Sequence, residues 1–150
     1  MTLTQKESSL LKDLKGQEEL CIGKYAKYAN DAKSNELKML FNEMKATEET
    51  HLRTINDMMN GTVAPVSAPL SANNDHCTKV SYANENDKNA DAFLCKDMLT
   101  TEKHASALYD TCVFEFSDPA ARKLLNHIQA EEQQHGERIY CYMKANDMYS

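Results

Sequence analysis

"GTVAPVSAPLSANNDHCTKVSYANENDK", residues 61–88, is the stretch on which the fold turns. Helical periodicity stops where it begins and resumes where it ends, and two of the chain's three prolines lie inside it. It reads as a linker. A structureless connection of roughly 28 residues is uncommon in a compact domain unless it has a distance to cover.

Both flanks read as helical hairpins. Thr4 and Glu7 fit a capping box and open a first helix through "LLKDLKGQEELCIGKYAKYANDA". Ser34–Asn35 makes a short turn and caps a second helix, "ELKMLFNEMKATEETHLRTINDMM", which Asn60–Gly61 stops. Beyond the linker a third helix is predicted from about Asn89 to Phe116. Asp118 as N-cap and Pro119 at the first helical position start a fourth. Short turns make antiparallel pairs, here hairpins 5–60 and 89–146. The linker 61–88 then carries the chain from one end of a bundle to the other. A loose tether between two independent hairpins is the alternative.

The apolar seam, read at alternating spacings of three and four, tells more. Helix 1 gives Leu11, Leu14, Glu18, Cys21, Tyr25, Tyr28 and Ala32. Helix 2 gives Leu37, Phe41, Met44, Glu48, His51, Ile55 and Met58. Helix 3 gives Cys95, Met98, Glu102, Ala105, Tyr109, Cys112 and Phe116. Helix 4 gives Ala121, Leu125, Ile128, Glu132, His135, Ile139 and Tyr142. Every charged or imidazole group on these stripes is one of six: Glu18, Glu48, His51, Glu102, Glu132 and His135.

The sequence also repeats. Offset by 84 positions, Glu18 meets Glu102, Glu48 meets Glu132 and His51 meets His135, and 12 of the 50 positions from 10 to 59 are identical. Chance would give roughly three, which points to internal duplication of a hairpin. Glu18 and Glu48 each lie about 15 residues from their turn, about 22 Å along the helix axis, so they face each other at one level. Glu102 and Glu132 repeat this about Ser117. Glu48 with His51, and Glu132 with His135, share a helix face at i, i+3.

Four carboxylates buried together would each cost several kcal/mol in desolvation, before their mutual repulsion. Two divalent cations would balance the four charges, with two imidazoles completing the shells. A lone Glu from each of two helices plus Glu-x-x-His from the other two is the ligand set of ferritin-like carboxylate proteins. The expected fold is thus an all-α, ferritin-like four-helix bundle, with Glu18, Glu48, His51, Glu102, Glu132 and His135 as metal ligands. The ligand types suit iron first, with manganese as an alternative and zinc in vitro. A decayed site, or a neighbouring carboxylate as the true ligand, is the competing reading.

Other groups are read more plainly. Glu19, Glu49 and Glu131 belong to the solvated face. Tyr25 and Tyr109 lie two helical turns from Glu18 and Glu102 and are taken as core packing before any redox or supporting role. His104 and His127 fall off the seam as surface or supporting groups, and His76–Cys77 decorate the linker. Five cysteines, none spaced C-x-x-C, are expected as free thiols in a reducing cytoplasm.

A formal net charge of −6 argues against a nucleic-acid partner. No apolar run reaches the 18 to 20 or so residues of a membrane span. "MTLTQKESSLLK" has no basic-then-apolar signal region, so no secretion signal is expected.

"QEELCIGKYAKYAND", "ELKMLF", "INDMMNGTV", "TEKHASALYDTCVFEF" and "LNHIQAEEQQHGERIYCYM" resemble the spore coat protein F (Coat F) family, of the ferritin-like superfamily. The resemblance implies a spore-coat location and, as partners, other coat proteins or a second copy of the chain. It departs from a ferritin cage in having no fifth helix, and from a complete rubrerythrin in having no paired C-x-x-C module. Two functions stay open: a coat component whose metals stabilise the bundle, or a di-iron or di-manganese oxidoreductase acting on dioxygen or peroxide.

Overall fold

The structure, a computed structural model, describes residues 1–66, 70 and 77–149. Four helices account for most of them: α1 (Gln5–Asp31), α2 (Asn35–Met59), α3 (Glu85–Glu115) and α4 (Pro119–Ala145). Each boundary has a local cause. Thr4 and Glu7 close a reciprocal capping box on α1, and the Ser34, Asn84 and Asp118 side chains each accept from the third residue of their helix. Gly61, at φ +84°, ends α2. Its N–H reaches the Met58 carbonyl at 2.9 Å and Thr62 N–H reaches that of Asp57, also at 2.9 Å. This is the left-handed helix stop that glycine adopts without penalty.

Helix directions follow from who meets whom. Early α1 meets late α3 through Lys6–Glu115, and the end of α1 meets early α3 where Lys33 N–H donates to Asp91. Glu43 of α2 meets Arg138 of α4, and His51 meets Glu131. Both cross-hairpin pairs are therefore antiparallel. Since α2 is also antiparallel to α1, α2 and α3 run the same way, and the connection must return along the bundle. The 25 residues of α2 correspond to about 37 Å of rise. The result is a four-helix bundle whose end-to-end crossing was expected from residues 61–88.

That segment is not structureless throughout. α3 starts at Glu85 rather than near Asn89, because Asn84 supplies the cap and Glu85 and Asp87 place acidic groups in the first turn. Before it, Val80 and Tyr82 pack on the core, Val80 N–H donates to Asn146 and the Asn146 amide donates to the Thr78 carbonyl. At the other end Val63 and Val66 pack on the opposite end of the bundle. The expectation of five free thiols is corrected here. Cys77 is joined to Cys141 of α4 by a disulfide with Cα atoms 5.1 Å apart, while Cys21, Cys95 and Cys112 are free and buried. The two cysteines lie 64 residues apart, and only the folded-back linker brings them within bridging distance. His76 lies outside the described residues.

The core is split in two. One apolar cluster centres on Tyr25, Phe41, Met98 and Ile139, the other on Leu14, Ile55, Tyr109 and Leu125. Between them lies a layer of buried polar side chains. A buried acid outside that layer closes the bundle's end: Asp91 accepts from the backbone N–H of Lys33 (2.7 Å) and Ser34 (3.0 Å) and from the Tyr82 hydroxyl (2.7 Å). Among the described residues no helix is long and apolar enough to cross a membrane.

Alkylation of the denatured, unreduced chain is expected to label three cysteines, and five after reduction. By mass spectrometry, five labelled without reductant would contradict the pairing. Reduction is expected to cost about 2–4 kcal/mol of stability, read by denaturant unfolding.

Candidate metal centre

The layer between the two apolar clusters consists of the six seam residues. Leu14 and Cys21 bracket Glu18, while Met44 and Ile55 bracket Glu48 and His51. Met98 and Ala105 bracket Glu102, while Ile128 and Ile139 bracket Glu132 and His135. Apolar neighbours one turn away on each side bury the faces, and the polar groups are carried inward with them. All six are at most 4% exposed.

The side chains form two overlapping quartets. Glu18, Glu48, His51 and Glu132 bring one ligand atom each within 4.8 Å of one another, and Glu48, Glu102, Glu132 and His135 do the same. Glu48 and Glu132 belong to both. His51 Nδ1 hydrogen-bonds with Glu132 at 2.8 Å and with Glu48 at 3.1 Å, with Glu18 at 3.8 Å. His135 Nδ1 hydrogen-bonds with Glu48 at 2.9 Å and with Glu102 at 3.3 Å. The two rings stack with centroids 6.3 Å apart.

Three buried carboxylate oxygens, Oε2 of Glu18, Glu102 and Glu132, have no hydrogen-bond partner. A buried acceptor left unpaired costs about 1–3 kcal/mol, more if charged. Three in one layer make it a cluster of buried acceptors short of donors. The donor set fits divalent cations of the iron and manganese type: carboxylate oxygens and imidazole nitrogens, without thiolate.

Bound protons lower the charge of the layer. Burial, reinforced for Glu132 by the charge on Glu102, pushes Glu48 and Glu132 well above the ordinary carboxylate range. Burial opposes charge on Glu102 as well, yet the neighbouring Glu132 and His135 outweigh it and bring that carboxyl down to about 2. Burial also disfavours the His51 cation. Hydrogen bonds to Glu131, Glu132 and Glu48 overcome it and raise that imidazole well above its ordinary value.

Three side chains read from sequence as packing or surface reach into the layer. The Tyr25 hydroxyl donates to Glu102, and the Tyr109 hydroxyl donates to Glu18 at 2.5 Å. Each tyrosine serves the glutamate of the opposite hairpin. Distance along its own helix could not reveal this; only the antiparallel register of α1 against α3 does. Glu131, expected on the solvated face, accepts from His51 Nε2 at 3.3 Å and pairs with His127 at 3.2 Å. Its position one residue from Glu132 was the available signal. The remaining alternatives stay outside: Glu19 and His104 are exposed, and Glu49 pairs with Lys45.

A crossover four-helix bundle with a central carboxylate–histidine layer is thus the class that fold and site define. Residues 90–150 match the family model of the Coat F domain. The first hairpin lies outside the matched residues. No curated protein and no solved structure matches the chain.

Replacing Tyr109 by Phe removes one donor and leaves the Glu18 carboxylate with neither oxygen satisfied by a hydroxyl. Metal-free Tyr109→Phe is expected to lose about 1.5–3 kcal/mol in denaturant unfolding. No loss would show that Glu18 does not depend on that bond.

Proposed function

We propose that this protein is a spore-coat protein whose ferritin-like bundle holds a dinuclear metal centre. One observation carries the reading: two quartets of buried ligand atoms share Glu48 and Glu132. Glu18 and His51 would complete one metal position, Glu102 and His135 the other, with Glu48 and Glu132 available to both. Iron is the first expectation and manganese the second; zinc would bind such a site in vitro. The Coat F match supports the coat role, where partners would be other coat proteins or a second copy of this chain.

The chain's own groups are suited to the task. His51 would offer Nδ1, since its Nε2 proton faces Glu131, an outer carboxylate that sets tautomer and ring orientation. Tyr25 and Tyr109 would hold one oxygen each of Glu102 and Glu18, leaving the unpartnered oxygens for metal. The apolar clusters above and below exclude water. Bound metal would neutralise the layer and add its binding energy to the folded state.

A second reading, an oxidoreductase acting on dioxygen or peroxide, is favoured by a cavity on the α3–α4 face that reaches Glu102 and Glu132. A redox-active metal pair would supply electron transfer to such a substrate. A purely structural centre needs no opening.

Protein produced with iron and manganese in excess is expected to carry two metal ions per chain, and Glu48→Ala/Glu132→Ala none. Elemental analysis decides, and a metal-free wild type would sink the proposal. Loading at neutral pH is expected to release protons, because Glu48, Glu132 and His51 hold theirs above their ordinary ranges. Affinity should therefore fall as pH is lowered, as titration in weak buffer with an indicator dye would show. Glu18→Leu/Tyr109→Phe, which removes both partners of a buried pair, is expected to stabilise the metal-free chain by about 1–4 kcal/mol while weakening metal binding. A large loss of stability instead would mean that the layer is a structural network.

A further inference from the structure

The two faces of the bundle that flank the central layer are unequal. Between α3 and α4 lies a cavity of about 450 Å³ whose floor is Glu102 and Glu132 and whose walls include Leu99, Ser106, Gly136 and Tyr140. At the matching positions of the first hairpin, 84 residues earlier, Ile22 stands for Ser106 and Leu52 for Gly136. Two small residues thus line the cavity where the first hairpin's sequence carries two branched ones.

Gly136 has no backbone reason to be glycine. Gly61 is the glycine with positive φ, whereas Gly136 sits inside α4. A helix-interior glycine costs about 1 kcal/mol against alanine. A Cβ added there would meet Leu99 Cδ1 at 3.7 Å, an ordinary contact. What a larger residue would remove is the space itself. The floor is narrow, for Glu102 is 2% and Glu132 1% exposed. A ligand that passes must be small, however roomy the cavity outside.

We infer that small ligands of the dioxygen and peroxide class reach the metal pair through the α3–α4 face, at the position of Glu102 and His135, with Gly136 and Ser106 setting the width of the passage. This rests on the reading of the six residues as a dinuclear centre. It also makes the two metal positions inequivalent. The Glu102–His135 position lies behind the cavity, whereas the Glu18–His51 position is backed by Glu131 and His127.

The test uses the iron-loaded, oxidised full chain with azide as the probe, read by the azide-to-iron charge-transfer band, beside iron content and thermal stability. The wild type is expected to bind azide saturably. Gly136→Leu and Ser106→Ile, each importing the first hairpin's residue, are expected to weaken azide binding at least about tenfold. Iron content should be unchanged, and Gly136→Leu should melt no lower than wild type, since leucine is the better helix former. Gly136→Ala should keep wild-type affinity. Wild-type azide affinity in both large variants would overturn the inference, as would an iron-loaded wild type that binds no azide. Iron-free wild type would instead defeat the metal-centre reading on which it stands. Dioxygen and peroxide can then be separated by stopped-flow mixing of the reduced protein with each.

Discussion

Four carboxylates share one buried layer, and the rest of the molecule is arranged around that fact. An isolated ionised carboxylate in a protein interior costs several kcal/mol even after relaxation, and four at hydrogen-bond distances repel one another as well. The chain meets this with two histidines, two tyrosine hydroxyls and raised proton affinities, and still leaves three oxygens unpartnered. The two apolar clusters above and below must therefore supply the net stability of the bundle. The layer is a cost that they offset, which is the expected energetic signature of a site rather than of a core.

The layer is close to symmetric and its surroundings are not. Each lone glutamate takes a hydroxyl from the opposite hairpin, and each Glu-x-x-His pair faces its counterpart, as two antiparallel hairpins with like residues at like positions require. Outside that first ring the halves diverge. His51 is backed by Glu131, which is tied to His127 near the surface, while the sequence position that matches Glu131 in the first hairpin is Thr47. On the opposite side, Gly136 and Ser106 line a cavity, and the matching sequence positions in the first hairpin are Leu52 and Ile22. Divergence in the outer ring gives two chemically like quartets of side chains unlike surroundings.

The return segment is more than a rope between hairpins. Its last residues are fastened at three points: the Cys77–Cys141 disulfide, the Asn146 side chain, and the Tyr82 hydroxyl shared between Asp91 and Tyr142. Asp91 in turn holds the α1–α2 turn through two backbone N–H groups. One end of the bundle is therefore knit by hydrogen bonds spanning every helix, and the order of residues 77–84 follows from them. Periodicity reads this segment as linker because its contacts are to distant partners, not to its own neighbours in sequence.

Spacing alone determined the inward face of each helix. The stripe from Leu37 to Met58 in α2 is buried throughout, and so are those in α3 and α4, because a 3.6-residue turn ties side-chain direction to position. The same rule brought the six polar seam residues to one level, since equal distances from a turn mean equal heights on antiparallel helices. What the sequence could not decide is anything set by register between hairpins or by the path of the return segment. Tyr25 and Tyr109 belong to the layer only because α1 runs against α3. Glu131 faces inward only because His51 of another helix reaches toward it. Cys77 meets Cys141 only because the linker folds back on α4. Each depends on how one element is placed against another, and that placement is decided by the packing of the whole bundle.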